Sequence, residues 1–356
     1  MMAGFFSLII FGLLALASAS SDIGKIQFNN AYFFVERQIA MGLGLGTLGF
    51  IIGYFLYYKN YKRVALVLLF INNLALILVL VGPLGVKEGG SKRWLDIGPI
   101  IFQPSEFLKV IIVIYLAAWL SNPKKDSRVK KFSSGFLPFL LIMGVVAGLL
   151  LAEPAISTVV IVLFSGLTMY FMSGARYAYI VLSFFLAIIA ITILVIFIPN
   201  RRDRFSSFLT PDADPLGKSY HLNQSLISLG AGGLTGVGFG KSTNKYLYLP
   251  ESIGDSIFVI IAEELGFIGA TILVVFYFAI VLRGLIIAKN ARDEFGKLLL
   301  IGFSTIIGFQ TFINIAALSG IIPLTGVTLP FISYGSSSLV TFMVMAGIMT
   351  NVSRYT

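Results

Sequence analysis

The sequence predicts an all-α integral membrane protein of about ten transmembrane helices, with one long extracytoplasmic loop between the seventh and eighth. Three observations predict it. Of 356 residues, 57% are apolar and only 12% charged, with a mean hydropathy of +0.94. A soluble domain carries roughly a quarter charged residues, and its folded surface must still face water. Apolar runs long enough to cross roughly 30 Å of hydrocarbon recur along the whole chain. Lysine and arginine gather in alternate connections, which marks one side as cytoplasmic.

The runs lie near 2–19, 38–58, 64–83, 106–120, 136–152, 155–173, 178–198, 256–287, 298–319 and 337–350. The first ends in Ala15-Leu16-Ala17-Ser18-Ala19, which imitates a signal-peptide cleavage site. It lacks the basic leading region of a signal peptide, so it counts as a helix. With the N-terminus inside, the cytoplasmic connections receive Lys59, Lys62, Arg63, Lys124, Lys125, Arg128, Lys130 and Lys131. They also receive Arg176, Arg283, Lys289, Arg292, Lys297 and Arg354. The short outer loops hold only Lys25, Arg37, Lys87, Lys92 and Arg93. Both termini are therefore expected in the cytoplasm, and 199–255 outside, within a single polytopic domain spanning 1–356.

The net charge of +10 does not point to nucleic acid, because apolar runs interrupt the basic residues. Anionic lipid headgroups are the simpler partner. Cysteine is absent, which removes disulfides and thiolate chemistry. Gly42, Gly46, Gly49 and Gly53 repeat at four- and three-residue steps, a pattern that lets helices approach closely. The two halves show no repeat, which disfavours transporters built from inverted repeats.

Several constellations carry possible chemistry. The run Gly230-Ala-Gly232-Gly233-Leu-Thr235-Gly236-Val-Gly238-Phe-Gly240-Lys241 resembles a phosphate-binding loop, but Thr235 stands where the motif needs glycine. What survives is a flexible segment whose amides and Lys241 are available to a lipid-linked phosphate. Glu106 and Lys109 lie three residues apart and share a helix face, as a cavity-lining pair or a self-neutralising one. Asp255 directly precedes a long apolar run; with Pro250 starting the helix, Glu251 would share its face and raise one carboxylate pKa. The plain alternative is an acid at a helix start. Arg201, Arg202 and Arg204 form a basic collar at the headgroup level or a pyrophosphate clamp. Glu263 and Glu264, two turns into the eighth run, are expected to face protein rather than lipid. His221, the lone histidine, is assigned no role, and the sequon Asn223-Gln224-Ser225 is weak evidence of glycosylation.

Read together, the residues resemble the SEDS family (shape, elongation, division and sporulation proteins). The resemblance runs through Ser18-Ala-Ser20-Ser21, Tyr32-Phe-Phe-Val-Glu-Arg37-Gln38, Arg93-Trp94-Leu-Asp96-Ile-Gly98 and Phe102-Gln103-Pro104-Ser105-Glu106-Phe-Leu-Lys109. It continues through Gln224-Ser225-Leu-Ile-Ser-Leu-Gly230, Leu249-Pro250-Glu251, Asp255, Glu263-Glu264-Leu-Gly266 and Phe312-Ile-Asn314. It ends with Pro323-Leu-Thr325-Gly326 and Leu329-Pro330-Phe331-Ile-Ser333-Tyr334-Gly335. The segments Tyr32-Phe-Phe and Arg93–Gly98 lean towards the FtsW-like branch. The resemblance implies polymerisation of lipid II into peptidoglycan at the outer face of the bacterial cytoplasmic membrane, beside a class B penicillin-binding protein. It makes Asp255 the essential aspartate and Glu106 with Lys109 the polar pair of the central cavity.

The chain departs from the family pattern at Ala155, Ile253, Ser256 and Ser336, where an aspartate, a histidine, a phenylalanine and a glycine are usual. The mechanism implied is an inverting glycosyl transfer with Asp255 as general base. Lys109, Arg201, Arg204 and Lys241 would stabilise the pyrophosphate leaving group, with Glu251, Ser333 and Tyr334 completing the substrate site. A divalent cation is compatible with this chemistry, but no ligand cluster specifies one. The competing readings are a lipid II flippase and a non-catalytic scaffold for cell-wall enzymes.

Overall fold

The computed structural model describes all residues except 89–90, 99, 123–128, 198–201, 203–207, 211–213, 215–216, 218 and 244–248. Among the described residues the chain forms eleven helices and one small sheet. Helix α1 is Met2–Phe28, α2 Phe33–Phe55 and α3 Lys59–Val81. Strands β1 (Gly85–Glu88), β2 (Ser91–Ile97) and β3 (Ile100–Phe102) follow, then α4 (Pro104–Leu120). Next come α5 (Phe132–Ala152), α6 (Ile156–Met172), α7 (Tyr177–Phe197) and the short α8 (Tyr220–Ala231). The chain ends in α9 (Ile257–Lys289), α10 (Glu294–Leu318) and α11 (Ser336–Arg354).

Seven of these helices are long and apolar enough to cross a membrane: α1, α2, α3, α5, α9, α10 and α11. Helix α6 and the described apolar stretch Tyr177–Ala190 of α7 are shorter. The molecule is thus a multi-helix membrane protein, with α10 and α11 at its centre. In their apolar windows 72% and 78% of residues are buried, against 28% in α3. The peripheral helices turn Leu66, Phe70, Phe184 and Phe278 outward, as lipid-facing surfaces require.

The glycines of α2 do what their spacing predicts. A Cβ at Gly46 would sit 2.4 Å from Met343 Sδ, and one at Gly53 would sit 2.9 Å from the Ile348 amide, so α2 lies directly on α11. At the opposite end of α3, the segment expected to be a plain outer loop forms the antiparallel sheet β1-β2-β3. Strand pairing there satisfies backbone groups that a loop would leave to water. Helix α1 runs nine residues beyond the predicted end at 19, so the signal-like Ala15–Ala19 lies mid-helix with Ala15, Leu16 and Ala19 buried.

The eighth predicted run is not one continuous span. Helix α9 breaks at Gly266, whose φ of 69° and ψ of −172° are not helical. Before the break, Ile257 to Glu264 are buried on every side. After it, Phe267, Ile268 and Ile272 face outward. The second half alone, about 34 Å at helical rise, matches the hydrocarbon thickness. The first half is a buried half-helix that carries Asp255 at its N-terminal edge.

Candidate active site

The half-helix needs its freed backbone groups satisfied, and the glycine-rich run does this. The carbonyls of Glu263 and Glu264 accept from the amides of Val237 and Gly238 at 3.0 and 3.1 Å. The amides of Phe267 and Ile268 donate to the carbonyls of Gly233 and Leu234 at 2.9 and 3.1 Å. Only glycine fits at the closest approach: a Cβ at Gly236 would lie 2.1 Å from the Glu264 carbonyl oxygen. The carboxylate of Glu263 accepts from Ser242 Oγ (2.6 Å) and the Thr243 amide (3.2 Å), while Glu264 accepts from Ser18 Oγ at 2.6 Å. Both acids therefore face protein, as expected. The run itself is a packed structural insert, and its amides at 236–238 are already bonded rather than open to phosphate. Lys241 is exposed at its far end.

Asp255 lies in a tight turn, not in a helix. The amides of Gly254 and Ser256 both donate to the Glu251 carbonyl, Glu251 has φ 50°, and the helix begins at Ile257 with Ser256 as N-cap. The helical register that would place Glu251 on the face of Asp255 is therefore absent, and Glu251 is exposed. The turn is anchored from two directions. Asn314 Nδ2 of α10 donates to the Asp255 carbonyl (2.7 Å) and to the Val327 carbonyl (2.6 Å), and the Tyr334 amide donates to the Ile253 carbonyl (2.9 Å). Gly326, with φ 64°, faces the carboxylate: a Cβ there would stand in van der Waals contact, 3.4 Å from Asp255 Oδ2.

One helical turn before Asn314, Gln310 reaches the intramembrane pair. Lys109 Nζ lies 2.8 Å from each Glu106 carboxylate oxygen and 2.8 Å from Gln310 Oε1, over the Phe342 ring at 5.1 Å. Lys109 is 1% exposed, so these contacts replace its hydration. Gln310 Nε2 in turn donates to the Thr328 carbonyl at 2.9 Å, and Thr328 Oγ1 meets Ser338 Oγ at 2.9 Å. Ser333 is buried and its hydroxyl oxygen accepts from the Leu329 amide (2.8 Å), while the Tyr334 ring packs edge-on against Phe34.

The segment 323–335 is thus the hub. It joins Asp255, Ser333 and Tyr334 to Glu106 and Lys109 through Gln310 and Asn314. Gln310 was not singled out from the sequence, although a polar residue four before Asn314 in an apolar helix was the available signal. Arg201 and Arg204 lie outside the described residues. Among the described residues no group of three or more His, Cys, Asp or Glu side chains converges as a metal site would require.

Beside this hub lies a buried acid at the α5–α6 connection. Glu153 is fully buried, neither carboxylate oxygen has a partner of good geometry, and Arg93 Nε donates to its main-chain carbonyl at 3.0 Å. Burial raises its pKa to about 7, against the smaller opposing pulls of the Ser105 hydroxyl and the Arg93 guanidinium. The folded state therefore holds this proton more tightly than the unfolded chain. The resulting stability is full below about pH 4.5 and is lost as pH rises to about 7. Glu153→Gln is expected to raise the melting temperature at pH 8, leave it near the parent value at pH 4.5, and flatten the slope between. An unchanged slope in melting scans would show that Glu153 is not the titrating group.

The FtsW/RodA/SpoVE profile, described as cell cycle protein, matches residues 1–356. The chain is 36% identical to stage V sporulation protein E of Bacillus subtilis over 349 residues, covering 98% of this chain and 94% of the relative. It is 37% identical to the probable peptidoglycan glycosyltransferase FtsW of Coxiella burnetii over 354 residues, with 98% and 94% covered. Among solved structures, a chain from a peptidoglycan synthase complex that coordinates polymerisation and crosslinking superposes with TM-score 0.80 at 27% identity, covering 99% of this chain and 96% of that one. The rod shape determining protein RodA of Thermus thermophilus superposes with TM-score 0.72 at 25% identity, covering 99% and 94%.

Proposed function

The chain belongs to the FtsW/RodA/SpoVE (SEDS) family, and we propose that it is a peptidoglycan glycosyltransferase polymerising lipid II at the outer face of the cytoplasmic membrane. The observation that carries this reading is the placement of Asp255. Its carboxylate faces Gly326, at the N-terminal edge of a buried half-helix, and its turn is tied through Asn314 and 323–335 to the Lys109–Glu106 pair.

In this reading ten helices cross the bilayer, both termini are cytoplasmic, and 199–255 lies outside. Asp255 takes the proton from the acceptor sugar hydroxyl as that oxygen attacks the donor's anomeric carbon. The new glycosidic bond forms with inversion as the bond to the polyprenyl pyrophosphate breaks. Negative charge grows on the departing pyrophosphate. Lys241, Arg201 and Arg204 supply cations towards it, Lys109 organises the cavity behind it, and the N-terminus of the half-helix adds a favourable dipole. Glu251 lies exposed at the rim, and Ser333 and Tyr334 hold the adjoining 323–335 segment in place. The partner is a class B penicillin-binding protein, in line with the synthase complex whose chain this one resembles.

The test is direct. Purified protein, with and without the partner, is given lipid II already dispersed in detergent. Glycan polymer on a gel supports the enzyme, whereas a flippase or a scaffold makes none. The orientation is tested with single cysteines, since the chain has none of its own. Asp214→Cys is expected to react with a membrane-impermeant reagent from outside, and Asp126→Cys only after the membrane is opened. The reverse pattern would remove the external site.

A further inference from the structure

Helix α8 lies against the half-helix of α9, and the contact brings the lone histidine to the reacting carboxylate. His221 Nε2 stands 2.7 Å from Ser256 Oγ, and Ser256 Oγ stands 3.4 Å from Asp255 Oδ1. Ser256 is wholly buried, so its hydroxyl is confined to these neighbours, and the Ser225 hydroxyl bonds the His221 carbonyl at 2.8 Å within α8. We propose that His221 is a positioning residue for glycan polymerisation, acting through Ser256 to orient the carboxylate of Asp255. This rests on the reading of Asp255 as the general base.

The direction of the chain follows from proton counting. An ionised carboxylate only accepts, so the bond to Asp255 uses the single Ser256 proton. The Ser256 oxygen must then accept, and the donor facing it is His221 Nε2–H. The 3.4 Å link to Asp255 is long for a hydrogen bond, as such contacts often are before substrate binds. A carboxylate fixed this way presents its other oxygen to the acceptor hydroxyl. Loss of either relay member removes this constraint on the carboxylate.

The experiment uses the full-length protein with its partner and lipid II, comparing His221→Leu, Ser256→Ala, the double variant and His221→Gln. Each single variant is expected to lower kcat roughly ten- to a hundred-fold, the range a hydrogen bond to a charged group supports, with KM for lipid II unchanged. The double variant is expected to be no worse than the more affected single one, because both changes break one chain. His221→Gln places an N–H near the same point and is expected to restore most of the lost rate. Parent-like turnover in His221→Leu, or losses that multiply in the double variant, would overturn the proposal. If His221→Leu fails to fold, Ser256→Ala and His221→Gln carry the comparison between them. Asp255→Asn is run alongside: if it still polymerises, the general-base reading fails. If it is inactive while Ser256→Ala is not impaired, only the relay fails.

Discussion

Asp255→Asn is expected to abolish glycan polymerisation while leaving expression, folding and partner binding intact. A general base contributes about 10²–10⁴-fold in rate. Asparagine keeps the size and polarity of the side chain but cannot take the proton. The turn is held through main-chain groups that the substitution keeps: the Asp255 carbonyl by Asn314, the Ile253 carbonyl by Tyr334, and the Glu251 carbonyl by two amides. The rival view of Asp255 as an ordinary helix-start acid sits poorly with the geometry, since Ser256 occupies the N-cap position. On that view asparagine would cost a fraction of a kcal/mol and leave turnover alone. Glu251→Gln is expected to have a smaller effect, as an exposed side chain on the rim. A gel of polymer products separates these outcomes by orders of magnitude, and parent-level polymer from Asp255→Asn would end the mechanism.

Much of this architecture was legible because its causes are local. Apolar runs of membrane length announce helices, and the three-residue step from Glu106 to Lys109 puts both on one face wherever the helix packs. The four glycines of α2 likewise declare a close helix contact without saying with what; the partner is α11. What the sequence hid depends on distant partners. Gly266 sits in a run that is mainly apolar apart from Glu263 and Glu264, and hydropathy is indifferent to a backbone break. The break holds only because a segment some thirty residues upstream supplies the missing hydrogen bonds. For the same reason the glycine-rich run reads from sequence as a flexible segment with amides available to a phosphate. His221 and Ser256 are 35 positions apart, and only the docking of α8 joins them. The strands of 85–102 are short and mixed in composition, so alternation gives them no clear signature.

The second large effect belongs to the buried pair. Lys109→Met is expected to lower stability sharply, because it strands the Glu106 carboxylate in a site that is nearly closed to water. Breaking a buried ion pair by removing one partner typically costs roughly 3–5 kcal/mol unless the survivor changes protonation. Glu106→Gln is expected to do the same from the other side, leaving the Lys109 ammonium with Gln310 Oε1 and the Phe342 ring. The double variant removes both charges and is expected to recover most of the lost melting temperature. Its polymerisation is expected to stay well below the parent level, because Lys109 also fixes Gln310, and Gln310 holds the Thr328 carbonyl of the segment that borders Asp255. Stability and activity are thereby separated in one set of four proteins. Full recovery of both would reduce the pair to self-neutralisation, and parent-like stability in both single variants would contradict the coupling itself.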